Sequence, residues 1–189
     1  MSDSDKPMRP ISNAGELAMR KRLANRYRID EEKLSKVVFD YMEPSLIGFI
    51  EAQTMFFIAT SSDEGECDAN FRGQNSAPSG RPQPLLKVKD SKTILFPDFA
   101  GNGFYNSLGN IHLNPHIGML FIDFREQQRA RVNGKAFVAK PDIEDIEIWP
   151  DAQAVVRMEV EQAFRNCAAR IPKMKKYENS DKVVRLGRR

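Results

Sequence analysis

Cysteine, histidine and long apolar runs are all scarce in this 189-residue chain. The two cysteines, Cys67 and Cys167, lie far apart and form no C-x-x-C pair, which excludes a disulfide framework and a thioredoxin-type motif. They are read as free thiols in a reducing cytosol. The two histidines, His112 and His116, belong to no H-E-x-x-H pattern, so no zinc centre is expected. The longest apolar runs, Met55 to Ala59 and Ile117 to Ile122, are too short to span a bilayer. The opening "MSDSDKPMRP" has no apolar signal core, so a cytoplasmic protein without a membrane segment is expected. An excess of one charge sign is also missing: the formal net charge is +3.

What is present is ordinary for a globular chain, with 41% hydrophobic and 29% charged residues, enough for one sizeable core. The basic residues gather at the ends. Arg20, Lys21, Arg22, Arg26 and Arg28 lie near the start, and Lys173, Lys175, Lys176, Lys182, Arg185, Arg188 and Arg189 near the finish. Such clusters can be a polyanion footprint. No groove-reading motif accompanies them, so they are read as solvated faces and nucleic acid is not the expected partner.

Residues 1–12 are polar and aperiodic and read as a disordered N-terminus. Residues 13–53 read as helices packing on the body of the protein. Asp30 is a good N-cap, with Leu34, Val37, Val38 and Tyr41 following at helical spacing, and a second apolar face follows Pro44. From Thr54 the texture changes to short strands: "TMFFIAT", "CDANFR", "LLKVK", "TILFP", "IGMLFID", "ARVNGKAFVA" and "AVVRMEVEQAF". One helix, Gly103 to Leu113, is inserted among them, ended by Pro115. "PDIEDIEIWPD" reads as an acidic, solvated connection, and Trp149 within it as a packing anchor. Six or seven short strands in succession predict a mainly β (α+β) fold, a small antiparallel barrel with helices at its side, over residues 54–175. Residues 176–189 read as a basic tail.

The chemistry-bearing stretch is "FPDFAGNGFYNSLGN", where a strand delivers the chain to Gly101-Asn102-Gly103 and a helix begins. Glycines allow close backbone approach, and a helix N-terminus offers free N–H groups to an anion. Asn102 and Ser107 could add side-chain hydrogen bonds. The same pattern also suits an ordinary strand-to-helix turn, since no lysine or arginine lies between Pro97 and His112. Arg72 closes one strand before Gly73. Arg129 and Arg131 share a strand face, with Ala130 and Val132 on the other. Each arginine alone reads as solvated; three of them with a glycine turn suggest an anion or cofactor site.

In order, "FFIATSSDEGECDANFRG", "TILFPDFAGNGFYNSLGNIHLNPHIGMLFIDF", "RARVNGKAFV" and "VRMEVEQAFRNC" resemble the pyridoxamine 5'-phosphate oxidase-like flavoproteins, and within them the flavin-nucleotide-binding branch. The resemblance covers about residues 45–175. It implies a six- to seven-stranded split β-barrel, a homodimer with FMN at the interface, and oxidoreductase chemistry on a small-molecule substrate. It places Arg72 and Gly73 at the end of the family's second strand, and Phe96, Pro97 and Asp98 along the flavin. Gly101, Asn102, Gly103 and Ser107 fall near the ribityl phosphate, and Arg129 and Arg131 at the pyrimidine edge of the ring. A cation there would stabilise a reduced flavin. The chain departs from the family's pyridoxamine phosphate oxidases. Gly103 and Phe104 stand where those enzymes carry an arginine and a lysine, and the C-terminal Arg-x-His is absent. In "FRNCAARIPKM", Ala168 and Ala169 replace a proline and an arginine. Oxidation of pyridoxine phosphate is therefore not expected, and a non-catalytic module holding flavin, deazaflavin or haem is the alternative. No catalytic acid or base stands out. Cys167 is read as a small buried hydrophobe.

Overall fold

The computed structural model describes residues 11–23, 29–77 and 80–175. Nearly all of the expected disordered N-terminus and the basic tail, together with Arg26 and Arg28, lie outside the described residues. Three helices lead in: α1 (Ala14–Arg22), α2 (Glu31–Ser35) and α3 (Pro44–Glu51). The strands are β1 (Met55–Ser61), β2 (Cys67–Gly73), β3 (Lys87–Asp90), β4 (Thr93–Phe99), β5 (His116–Asp123), β6 (Gln128–Ala139) and β7 (Ala152–Asn166). Helix α4 (Asn106–Leu113) joins β4 to β5, and α5 (Ile143–Ile148) joins β6 to β7.

All seven strands form one antiparallel sheet in the order β2-β1-β5-β6-β7-β4-β3. The sheet curls until its two ends face each other. The Phe56 ring of β1 meets Phe96 of β4 edge-on at 5.4 Å and Phe121 of β5 at 5.4 Å, although β1 and β4 are not hydrogen-bonded neighbours. This is a mainly β split barrel with flanking helices.

Alternation supplies the core. Phe56 and Ile58, Ile94 and Phe96, Ile117 and Met119 and Phe121, Ala130 and Val132, and Val156, Met158 and Val160 all point inward and are buried. Strand β4 is buried on both faces. Its outer face carries Leu95 against Trp149 and Val155 in a second small cluster. Trp149 is fully buried and its indole N–H donates to the Pro84 carbonyl at 2.7 Å.

The "PDIEDIEIWPD" segment is not the solvated connection its acidity suggests. Asp142 caps α5: its carboxylate accepts from the Asp145 N–H at 2.9 Å, and Asp145 accepts in return from the Asp142 N–H at 3.1 Å. Arg157 of β7 donates to Asp142 at 2.8 Å and to Asp145 at 2.6 Å, so the buried Asp145 is paired. The N-terminal expectation also needs correcting. Only α3 packs inward, through Leu46 and Ile50. Helix α2 stops after five residues, and α1, which no apolar periodicity announced, buries nothing. Among the described residues no helix is long and apolar enough to cross a membrane.

Two outcomes follow from this packing. At Gly134 the β6–β7 ladder carries a bulge, and a Cβ there would overlap the Glu159 carbonyl oxygen. Gly134→Ala should therefore cost about 1–3 kcal/mol, read as a fall in Tm with the fold retained. The Asp145 N–H, with Arg157 beside it, holds the Asp142 carboxyl below its usual 3.8. A lowered folded-state value adds stability above the usual carboxylate range, lost as pH falls through the lowered value. Asp142→Asn keeps an N-cap but drops the charge. Its Tm deficit should be present at pH 7 and close as pH drops below 3.8; a gap independent of pH would contradict the assignment.

Candidate functional site

The split between β2 and β4 is crossed by an ion pair. Arg72 is the penultimate residue of β2, and its Nη1 donates to Asp98 Oδ1 on β4. Both side chains are largely withdrawn from water, at 19% and 8% exposed. The second carboxylate oxygen of Asp98 accepts from Gln153 Nε2 at 2.8 Å, and the same amide nitrogen reaches the Phe99 carbonyl at 3.3 Å. Asp98 is thus locked by β2 on one side and β7 on the other. Arg72 keeps one buried nitrogen, Nε, without a partner.

Above this pair lies an open cleft of about 310 Å³. Asn70, Arg72, Asp98 and Gln153 line it from the strands; Phe99, Gly101, Asn102, Gly103, Phe104 and Tyr105 line it from the connecting loop. Asn106, Ser107 and Leu108 of α4 close it. The helix begins three residues later than the sequence suggests. Gly103 (φ +78°) and Tyr105 (φ +55°) both adopt left-handed backbone angles, which turn the chain sharply before the first helical residue. Asn102 holds the turn, its Oδ1 accepting from the Phe104 N–H at 3.1 Å. Tyr105 occupies the N-cap and makes no side-chain cap, so the first turn of α4, which lines the cleft, has no side-chain cap on its N–H groups. No acidic residue sits in that first turn.

The helix is pinned to the β1–β2 edge. Ser107 Oγ accepts from Asn70 at 3.3 Å and donates to Asp68 at 3.3 Å. Asn110 donates to Thr60 at 3.1 Å, and Asn114 to Ser61 at 2.9 Å. Against the cleft, sharing Arg72 and Phe99, lies a second void of about 180 Å³ walled by Phe56, Phe71, Leu85, Pro97 and Gly73. A polar chamber and an aromatic one therefore meet at Arg72.

Arg72, Asp98, Gly101, Asn102, Gly103 and Ser107 come together in the polar cleft, and Gly73 and Pro97 in the apolar void. Phe96 is a core residue lining neither. Ser107 is 2% exposed and its hydroxyl is already engaged by β2. Arg129 and Arg131 line neither chamber within this chain. They sit on β6 opposite Asn166 and Phe164, at the far end of β7 from Gln153. The Arg131 guanidinium lies 5.8 Å from the Phe164 ring centre. Beside Arg129, Cys167 is exposed rather than buried; the Ala169 N–H, with the Arg129 guanidinium adding to it, holds its thiol below the usual value. Gln153, Asn70, Phe104 and Tyr105 also line the cleft, beyond the residues the sequence points to. Asn70 was legible, two positions before Arg72 on the same strand face. Gln153 was not, because its placement depends on β7 pairing with β4.

Among the described residues no group of three or more His, Cys, Asp or Glu could hold a metal ion. The sequence model of the pyridoxamine 5'-phosphate oxidase family matches residues 42–177, well over half of the chain. No curated protein matches. Among solved structures, a variant of HupZ from Group A Streptococcus aligns at 21% identity over 66% of this chain and 99% of its own, with a TM-score of 0.51. An FMN-binding protein from Syntrophomonas wolfei aligns at 13% identity over 80% and 96%, TM-score 0.46. HutZ, the haem storage protein from Vibrio cholerae, aligns at 16% identity over 65% and 94%, TM-score 0.41. At such identities the HupZ likeness shows the fold alone.

The Arg72–Asp98 pair can be tested by itself. Arg72→Met leaves the Asp98 carboxylate buried without its cation and should cost about 3 kcal/mol. Adding Asp98→Leu should recover a large part of that loss in a double-mutant cycle read by urea denaturation. Additive losses would show that the two side chains do not act as a pair.

Proposed function

The chain belongs to the pyridoxamine 5'-phosphate oxidase family, and from that premise we propose that it is an FMN-binding oxidoreductase with a small-molecule substrate. The observation that carries the reading is the meeting of the two chambers at Arg72. One offers uncapped helix N–H groups and a glycine turn, which suit a phosphate. The other offers aromatic and aliphatic walls, which suit a flat ring. The residues fit the cofactor on a further point: Arg72, which lines both chambers, keeps its buried Nε unpaired.

The phosphate would be held in an unusual way for want of a free cation. Asp98 neutralises Arg72, and among the described residues no lysine or second arginine lines the polar cleft. Backbone N–H groups of α4 and the Asn102 turn would carry the anion, and Asn70 and Gln153 would meet the polyol between phosphate and ring. Phe71 and Phe99 would shield the ring from water. FMN bound there supplies hydride or single-electron transfer. The second copy in a homodimer would bring its own Arg129 and Arg131, which the cleft of one chain lacks, to the ring's edge. A deazaflavin with a phosphorylated tail would use the same turn. Haem is less favoured: among the described residues the cleft is lined by no histidine, cysteine or methionine, only Tyr105 among common axial ligands.

Purified protein mixed with excess FMN and then desalted should retain the visible flavin bands. Riboflavin, lacking the phosphate, should bind at least about tenfold more weakly, a difference of roughly 1.4 kcal/mol. Asn102→Ala should narrow the gap by loosening the turn. Equal affinity for FMN and riboflavin would contradict the phosphate assignment, and a colourless protein would contradict FMN binding.

A further inference from the structure

We propose that Phe104 and Tyr105 form a nucleobase subsite at the lip of the polar cleft, so that the chain binds flavin adenine dinucleotide (FAD) more tightly than FMN. This rests on the flavin and phosphate placement above and adds an adenosine beyond the phosphate.

Phe104 and Tyr105 are adjacent in the loop that leads into α4, and both line the cleft. They are 76% and 55% exposed. Among the described residues neither ring packs against another aromatic ring. One exposed aromatic residue is ordinary. Two in succession on the wall of a cleft give it a flat apolar surface suited to another ring. Their backbone is not relaxed either. Tyr105 holds φ +55°, a region that glycine or asparagine enters more readily than a bulky aromatic residue. A tyrosine held at that angle beside a cleft fits a role for its ring. Its hydroxyl donates to Gln153 Oε1 on β7 at 3.5 Å, which steadies the ring from its tip.

The rings stand close to the phosphate turn. Phe104 lies two residues before Asn106, the first residue of α4. Their Cα atoms are therefore no more than about 7.6 Å apart at ~3.8 Å per residue. The loop just before the helix is bare. A Cβ at Gly103 would meet nothing within 4 Å, and one at Gly101 only the Phe99 carbonyl oxygen at 3.9 Å. A second phosphate and a ribose have room against that backbone. The purine beyond them reaches the two rings, and aromatic side chains hold a base by its π-face.

Charge points the same way. Near pH 7 a phosphate monoester such as that of FMN carries about 1.5 to 2 negative charges on one group. In the dinucleotide each phosphate is a diester with a single charge. Among the described residues the cleft lining has one cation, Arg72, and Asp98 already balances it. Backbone N–H groups without a free cation suit the lower charge density.

The test is calorimetric titration of the full chain with FMN, with FAD and with ADP. FAD should bind about tenfold more tightly than FMN, and ADP alone should bind measurably. Phe104→Ala keeps the N–H that donates to Asn102. It should bring FAD down to the affinity of FMN and abolish ADP binding, while FMN changes by less than about twofold. Phe104→Trp, with a larger ring, should widen the preference for FAD. Equal affinity for FMN and FAD in the unaltered chain, or a Phe104→Ala loss equal for both, would overturn the subsite and leave the FMN reading standing. Binding of neither flavin would overturn both. A Phe104→Ala protein with weaker self-association in sedimentation and an unchanged ratio of FAD to FMN affinity would assign the ring to a second chain, and would also overturn the proposal.

Discussion

The ion pair between Arg72 and Asp98 is the constraint on which the site depends. The seven-stranded sheet does not close by hydrogen bonds, since β2 and β3 remain at its two edges. Aromatic packing between Phe56 and Phe96 fills the middle of the gap. At its mouth, Arg72 and Asp98 hold β2 to β4 and set the width of the cleft. Gln153 extends the lock to β7. A charge pair this sheltered stabilises little against an apolar alternative, but losing one partner is costly. Its role here is to fix geometry: it holds Arg72 at the junction of a polar and an aromatic chamber.

The same pair decides the electrostatics of the cleft. An arginine beside a glycine turn looks like an anion site, yet its charge is already balanced. What remains for an anion is the first turn of α4, without a side-chain cap and with no acidic neighbour of its own. Backbone donors and a helix dipole are fixed in place and need no reordering when a ligand arrives. The hydrogen bonds from Asn70, Asn110 and Asn114 keep that helix against β1 and β2, with its first turn lining the cleft.

Much of this was legible in the sequence, for physical reasons that can be named. Strict alternation in "VVRMEVEQAF" and "RARVNGKAFV" marked the strands and their inward faces, and the family match confirms the resemblance carried by residues 45–175. The glycine turn marked the cleft. Other features were hidden. Helix α5 reads as a loop in the sequence because its acidic residues mask a capping box, and an arginine from a distant strand neutralises them. Helix α1 has no buried face and so gave no apolar period. The arginines at 129 and 131 alternate as expected but lie at the far end of β7 from the cleft, a fact set by register that no local pattern contains. The exposure of Cys167 had the same origin: it lies just beyond the end of β7, where the ladder no longer covers it.

The most direct test of the central claim, a phosphate held by the N-terminal turn of α4, is an amide NMR titration with FMN and with riboflavin. The backbone N–H signals of Asn106, Ser107 and Leu108 should shift strongly with FMN and hardly at all with riboflavin. Large FMN-specific shifts confined to the neighbourhood of Arg129, with those three amides unmoved, would contradict the account.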